Sequence, residues 1–112
     1  MELGKLVGDK TVLESTKLYT KNFGTVDAGK LILSLEETLF LIEKNKIDIG
    51  ASFTNTLNKL SRKQRNLPER FSVYRDMRLK GYVLKSGLKF GCDFRVYENK
   101  KEHSKWLLFF IL

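Results

Sequence analysis

Tyr97 and His103 stand at the two ends of one polar loop, ENKKE at 98–102, and His103 is the chain's only histidine. A phenol and an imidazole set among Arg95, Lys100, Lys101 and Lys105 are the groups that serve as base and acid on a phosphate backbone. An imidazole with an ordinary pKa of ~6.5 suits proton donation near neutrality, whereas a phenol near ~10 accepts a proton only where cations favour its ionised form. The surrounding charge is of that sign. Each residue also has a plainer role. A strand tyrosine is usually an amphipathic core residue, and a lone histidine in a lysine-rich loop is usually solvated.

The elements that must hold these side chains read as a glycine-punctuated hairpin. After Gly81 the hydrophobic period switches to two: Tyr82-Val83-Leu84 begins a strand, and Ser86-Gly87 and Gly91 supply turn or bulge positions. Phe94 and Val96 then share the apolar face, which puts Asp93, Arg95 and Tyr97 on the polar one. That placement raises the case for chemistry at Tyr97 above what its residue type alone supports. His103 lies where the polar loop gives way to the strand-like run 106–112, a junction that presents side chains from a rigid base. For His103 the residues alone leave both roles open.

Upstream, Phe71, Tyr74 and Arg78 recur at helical spacing with Met77 beside them. Pro68 suits the first turn of that helix, and Gly81 its left-handed end. In the first half, Ser34 stands three residues before Glu37, the spacing of a capping box. The stripe Leu35, Leu39, Ile42, widened by Phe40 and Leu41, predicts a helix over about 35–45, with Glu36, Glu43 and Lys44 outside its apolar face. Short strands and turns precede it, with turn formers at Gly8-Asp9 and Asn22-Phe23-Gly24. Ile47-Asp48-Ile49 alternates as a strand, and Phe53, Leu57 and Leu60 predict a second helix. The composition shift at 62–67 divides the chain into an α/β domain, 1–65, and a domain over 66–112. The fold class is α+β.

The charge is uneven. Residues 1–58 hold 7 Lys+Arg and 8 Asp+Glu, a balance of −1, and residues 59–112 hold 14 and 5, a balance of +9. A basic half beside a neutral one points to a polyanion on the second half. Arg62, Lys63, Arg65, Lys85 and Lys89 are candidates for long-range attraction. The single cysteine, Cys92, excludes an internal disulfide and sits in a strand pattern as a small packed residue. One cysteine and one histidine draw no zinc-type ligand set, so no metal or cofactor is expected. The N-terminus lacks a signal peptide's apolar run, and the apolar run 106–112 is too short to span a bilayer. A cytoplasmic protein without membrane contact is expected.

From residue 74 onward the sequence resembles the archaeal tRNA-splicing endonucleases. That family carries a helix ending in Y-x-D-x-R-x-x-G-Y, then V-x-K-x-G-x-K-F-G-x-D-F-R-x-Y, a loop and H-S. Here they read YRDMRLKGY at 74–82, VLKSGLKFGCDFRVY at 83–97, and His103-Ser104. LSLEETLFLIE at 33–43, ahead of a short I-x-I strand, is similar to the family's N-terminal domain. The resemblance implies that 66–112 is the beginning of a nuclease-like mixed-sheet catalytic domain, helix plus strands. It implies metal-independent cleavage of precursor tRNA at bulge-helix-bulge intron boundaries, leaving 2′,3′-cyclic phosphate and 5′-hydroxyl ends. Tyr97 matches the tyrosine proposed to deprotonate the attacking 2′-OH, and His103 the histidine proposed to protonate the leaving 5′-oxygen.

The family's third catalytic residue is a lysine some thirty residues beyond the histidine. Lys105 does not match it, and no residue here takes that role. The expectation is a C-terminally truncated endonuclease chain, impaired alone, that acts in a homo- or hetero-oligomer when the rest is supplied. The run 106–112 then reads as a core strand deprived of neighbours. The alternative is a non-catalytic structural or RNA-binding subunit that assembles with a complete chain. Retention of both Tyr97 and His103 argues against it. A generic basic nucleic-acid-binding domain would not carry so long an ordered motif.

Overall fold

Ser34 opens the first helix with the capping box that its spacing predicts. Its Oγ accepts from the Glu37 backbone N–H at 3.2 Å, and Glu37 Oε1 accepts from the Ser34 N–H at 3.0 Å. The computed structural model describes residues 1–86, 93–98 and 106–108, the last three by their backbone. It divides the chain into two compact units, Met1–Pro68 and Glu69–Leu112. The described elements are α+β: three helices and eight strands. None of the described helices is long and apolar enough to cross a membrane.

The first unit is built on a five-stranded sheet of β1 (Glu2–Val7), β2 (Lys10–Leu13), β3 (Thr25–Asp27), β4 (Lys30–Leu33) and β5 (Ile47–Asp48). Their order is β3-β4-β2-β1-β5, antiparallel except for the parallel pair Glu2↔Ile47 and Leu3↔Asp48 that joins β1 to β5. The helices α1 (Leu35–Glu43) and α2 (Phe53–Ser61) complete it. Between β2 and β3 the chain forms a 3₁₀ turn, Lys17–Lys21, where the sequence suggests only strands and turns. Five residues are too few to display a helical period.

Leu35, Leu39, Phe40, Leu41 and Ile42 are all buried with Leu13, Leu31, Leu33 and Ile47, as the stripe predicts. Glu36 departs from expectation, because it is buried as well. α1 packs against β2, β5 and α2 and is enclosed on several sides. A carboxylate in its first turn sits where the free N–H groups of the helix favour negative charge. The helix ends in a left-handed cap at Asn45, φ 58°, with Lys46 N–H donating to Leu41 C=O and Asn45 N–H to Ile42 C=O.

Glu37 reaches further than its capping role. Its second oxygen, Oε2, accepts the Gly24 N–H at 2.7 Å in a buried bond, pinning the start of β3 to α1. Gly24 has φ +71°, and a Cβ there would lie 2.7 Å from Ile32 O and 2.8 Å from Leu31 Cδ1. Both the backbone angle and the space demand glycine. Gly24→Ala is expected to destabilise the fold by about 2–3 kcal/mol, through left-handed strain and a clash with backbone that cannot rotate away. The midpoint of urea unfolding checks this, and an unchanged midpoint would remove the argument.

The second unit holds α3 (Leu67–Leu79, which starts two residues before the boundary), β6 (Val83–Ser86), β7 (Phe94–Tyr97) and β8 (Trp106–Leu108). These strands form an antiparallel sheet in the order β6-β7-β8. Pro68 occupies the first turn of α3, where its missing N–H leaves no bond unmade. Leu67 is already helical, although a residue before proline is biased away from that conformation. At the far end Gly81 takes φ +95°. Tyr82 N–H donates to Met77 C=O at 3.1 Å and Gly81 N–H to Arg78 C=O at 2.9 Å. This stop turns the chain directly into β6.

Candidate active site

The register of the hairpin sets the site. Val83 faces Tyr97, Leu84 faces Val96, Lys85 faces Arg95 and Ser86 faces Phe94. Residues paired across an antiparallel ladder share a face, so Leu84, Ser86, Phe94 and Val96 lie on one side and Val83, Lys85, Arg95 and Tyr97 on the other. Leu84, Phe94 and Val96 are buried with Ser86 exposed beside them, while Lys85, Arg95 and Tyr97 are half-buried next to a buried Val83. The alternation expected from the sequence for Phe94 to Tyr97 is therefore the one observed. Residues 93–98 carry the described part of the site; His103, Ser104, Cys92, Lys89, Lys100, Lys101 and Lys105 lie outside the described residues.

α3 secures β7 residue by residue. Tyr74 is 1% exposed and packs on Phe94 with ring centroids 5.8 Å apart at 49°. Its hydroxyl accepts from Arg78 Nε at 3.0 Å, which satisfies the phenol at the edge of the core. Arg70 lies 5.4 Å over the Phe94 ring and forms an ion pair with Asp93 at 3.8 Å. Asp93 and Phe94 are thus both engaged from the helix, and Val96 is wholly buried. Tyr97 is the strand's last residue, on the face opposite Phe94 and Val96.

On that face Arg95 bridges the hairpin. Its Nε donates to the Ser86 C=O at 2.8 Å, and its guanidinium carbon lies 5.8 Å from the centre of the Tyr97 ring. Sequence reasoning places Arg95 beside Tyr97 but does not find Arg70. The signal for Arg70 is its spacing: Arg70, Tyr74 and Arg78 form one row of residues four apart on α3. No group of three metal-ligating side chains occurs among the described residues. A phenol held near an arginine at a strand end, beside a lysine, offers a polyanion both charge and a group able to exchange a proton.

Comparison with known proteins gives this arrangement its context. Residues 67–112 match the family model of the tRNA intron endonuclease catalytic C-terminal domain, and residues 3–56 match that of the tRNA intron endonuclease N-terminal domain. The tRNA-splicing endonuclease of Thermococcus onnurineus is 39% identical over 118 residues, covering 96% of this chain and 69% of that protein. The chain belongs to the tRNA-splicing endonuclease family. The endonuclease of Thermococcus kodakarensis is 41% identical over 84% of this chain and 60% of its own length. That of Pyrococcus furiosus is 33% identical over 95% of this chain and 68% of its own length. The chain thus spans about three fifths to two thirds of the length of these endonuclease relatives. The catalytic-domain match begins at Leu67, the first residue of α3.

Proposed function

We propose that this chain is a tRNA-splicing endonuclease polypeptide that acts on precursor tRNA at bulge-helix-bulge intron boundaries, with Tyr97 and His103 as catalytic residues. The observation that carries the proposal is the hairpin register, which sets Tyr97 on one face with Arg95 and Lys85, six residues before His103 in the sequence. In the proposed step the Tyr97 phenolate takes the proton of the 2′-OH. The 2′-oxygen attacks the adjacent phosphorus and the P–O5′ bond breaks. His103 delivers a proton to the departing 5′-oxygen. The products are a 2′,3′-cyclic phosphate and a 5′-hydroxyl, and water is not consumed.

Stabilising charge on the phosphorane falls, in the family, to the lysine that no residue here matches, so this chain by itself is proposed to be impaired. Removing one such charge-stabilising group typically costs about 10²–10³ in rate. Subunits of the same kind are proposed to supply the remainder by association. Recognition of the RNA rests on phosphates and on the geometry of the bulged helix, because the deep major groove of A-form RNA is closed to side chains.

The balance of +9 over residues 59–112 gives the binding test. Affinity for a bulge-helix-bulge RNA is expected to fall about tenfold or more between about 50 and about 200 mM salt, which corresponds to two or more phosphates neutralised. Fluorescence anisotropy of a labelled RNA measures it. An affinity that does not change over that range would remove the electrostatic basis of the proposal.

A further inference from the structure

We propose that Arg95 is a positioning residue for Tyr97: tethered across the hairpin, its guanidinium fixes the orientation of the tyrosine ring on the polar face of β7. The inference rests on the reading of Tyr97 above for its catalytic consequence, though not for its geometry.

Tyr97 ends its strand, is half-buried, and faces the buried Val83 across the ladder. Arg95 is two residues earlier on the same face, close enough to lie against the ring. Its own freedom is restricted by the 2.8 Å bond from Nε to the Ser86 carbonyl on the neighbouring strand. With that end tied, the planar group is held 5.8 Å from the ring centre. A cation over an aromatic face at an exposed site biases the ring's orientation by about twofold to fivefold.

Arginine and lysine are not equivalent at this position. The Nε donor and the stacking plane belong to one rigid fork, whereas an ammonium is a single point of charge on a flexible stem. Lysine at this position could approach the carbonyl or the ring, but it would not hold the two in fixed relation.

The test uses the chain as it stands, labelled with 3-fluorotyrosine and observed by fluorine NMR. Its four tyrosines give four resonances, and Tyr97→Phe identifies that of Tyr97. Arg95→Ala is expected to shift the Tyr97 resonance toward that of free 3-fluorotyrosine and to narrow it, while the resonance of buried Tyr74 stays in place. Arg95→Lys is expected to behave as Arg95→Ala does. If the alanine variant also disturbs Tyr74, Arg95→Gln decides by the same criterion, because it keeps a donor of similar reach and removes the cation. A Tyr97 resonance that does not move while Tyr74 is intact overturns the proposal.

Cleavage offers a second readout once a family-like C-terminal segment is supplied. Arg95→Ala should lower kcat by about tenfold to a hundredfold, the scale of a misplaced catalytic group. The loss in kcat should exceed any change in KM, and it should vanish in the Tyr97→Phe background. An equal loss in both backgrounds would show that Arg95 acts otherwise than through Tyr97. Were Tyr97→Phe itself without effect on cleavage, the catalytic reading would fail while the NMR result stood independently.

Discussion

Supplied with a family-like C-terminal segment bearing its lysine, the chain is expected to cleave precursor tRNA, and His103→Ala is expected to slow that cleavage by about 10²–10⁴-fold. The size follows from the leaving group. An unprotonated 5′-alkoxide departs poorly, and the imidazole is the group proposed to protonate it as the bond breaks. Tyr97→Phe isolates the other half of the proton exchange, because it keeps the ring against Arg95 and removes only the hydroxyl. Its loss should be of similar order. The product ends provide an independent check: a 2′,3′-cyclic phosphate shows that the neighbouring 2′-oxygen was the nucleophile. Chelation by EDTA should leave the rate unchanged, as the family resemblance implies. An extended chain that cleaves equally well with Tyr97→Phe and with His103→Ala would show both residues to be structural.

Tyr74→Ala is the substitution expected to cost most in stability, about 3–5 kcal/mol, the usual loss for truncating a large buried aromatic. Against a typical total of about 5–15 kcal/mol for a domain, this is enough to unfold much of the second unit's structure. Tyr74 is 1% exposed and supports Phe94, so its removal leaves a cavity beside the strand that ends in Tyr97. Tyr74→Phe should cost only about 1–2 kcal/mol, because it retains the packing and loses the hydroxyl's bond from Arg78. Urea unfolding followed by near-ultraviolet circular dichroism separates the two variants. Equal losses would place the stabilisation in the hydrogen bond and not in the ring.

What the sequence makes legible is local. The pair Ser34 and Glu37 announces a helix start because both halves of the capping box fall within one turn. The alternation Phe94 to Tyr97 reveals its two faces because a strand's period is two, whereas Asp93, expected on the polar face, lies before the strand and pairs with Arg70 of α3. The second oxygen of Glu37 is a different matter. Its partner is the Gly24 N–H, thirteen residues away, and no periodicity connects a loop amide to a helix carboxylate. The ion pair of Arg70 with Asp93 is hidden for the same reason, since it joins a helix to a strand across the turn of the chain. The parallel pair of β1 and β5 is two residues long, and a pattern of that length cannot be told from a loop. The proximity of Arg95 to Tyr97 is easier to read than tertiary wiring, because the two are two residues apart on one strand.

That parallel pair has a consequence for how the chain is made. Glu2 and Leu3 leave the ribosome 45 residues before their partners Ile47 and Asp48, which follow only after β2, β4 and α1. At roughly 5–20 residues per second the delay is about 2 to 9 s. During that interval one edge of β1 is open to any other extended chain nearby. The bond from Glu2 N–H to Lys46 C=O at 3.0 Å closes the edge as soon as α1 has formed and turned back. Every ladder of the first sheet lies within the first 48 residues. The N-terminal sheet can therefore be assembled while the basic half is still being translated.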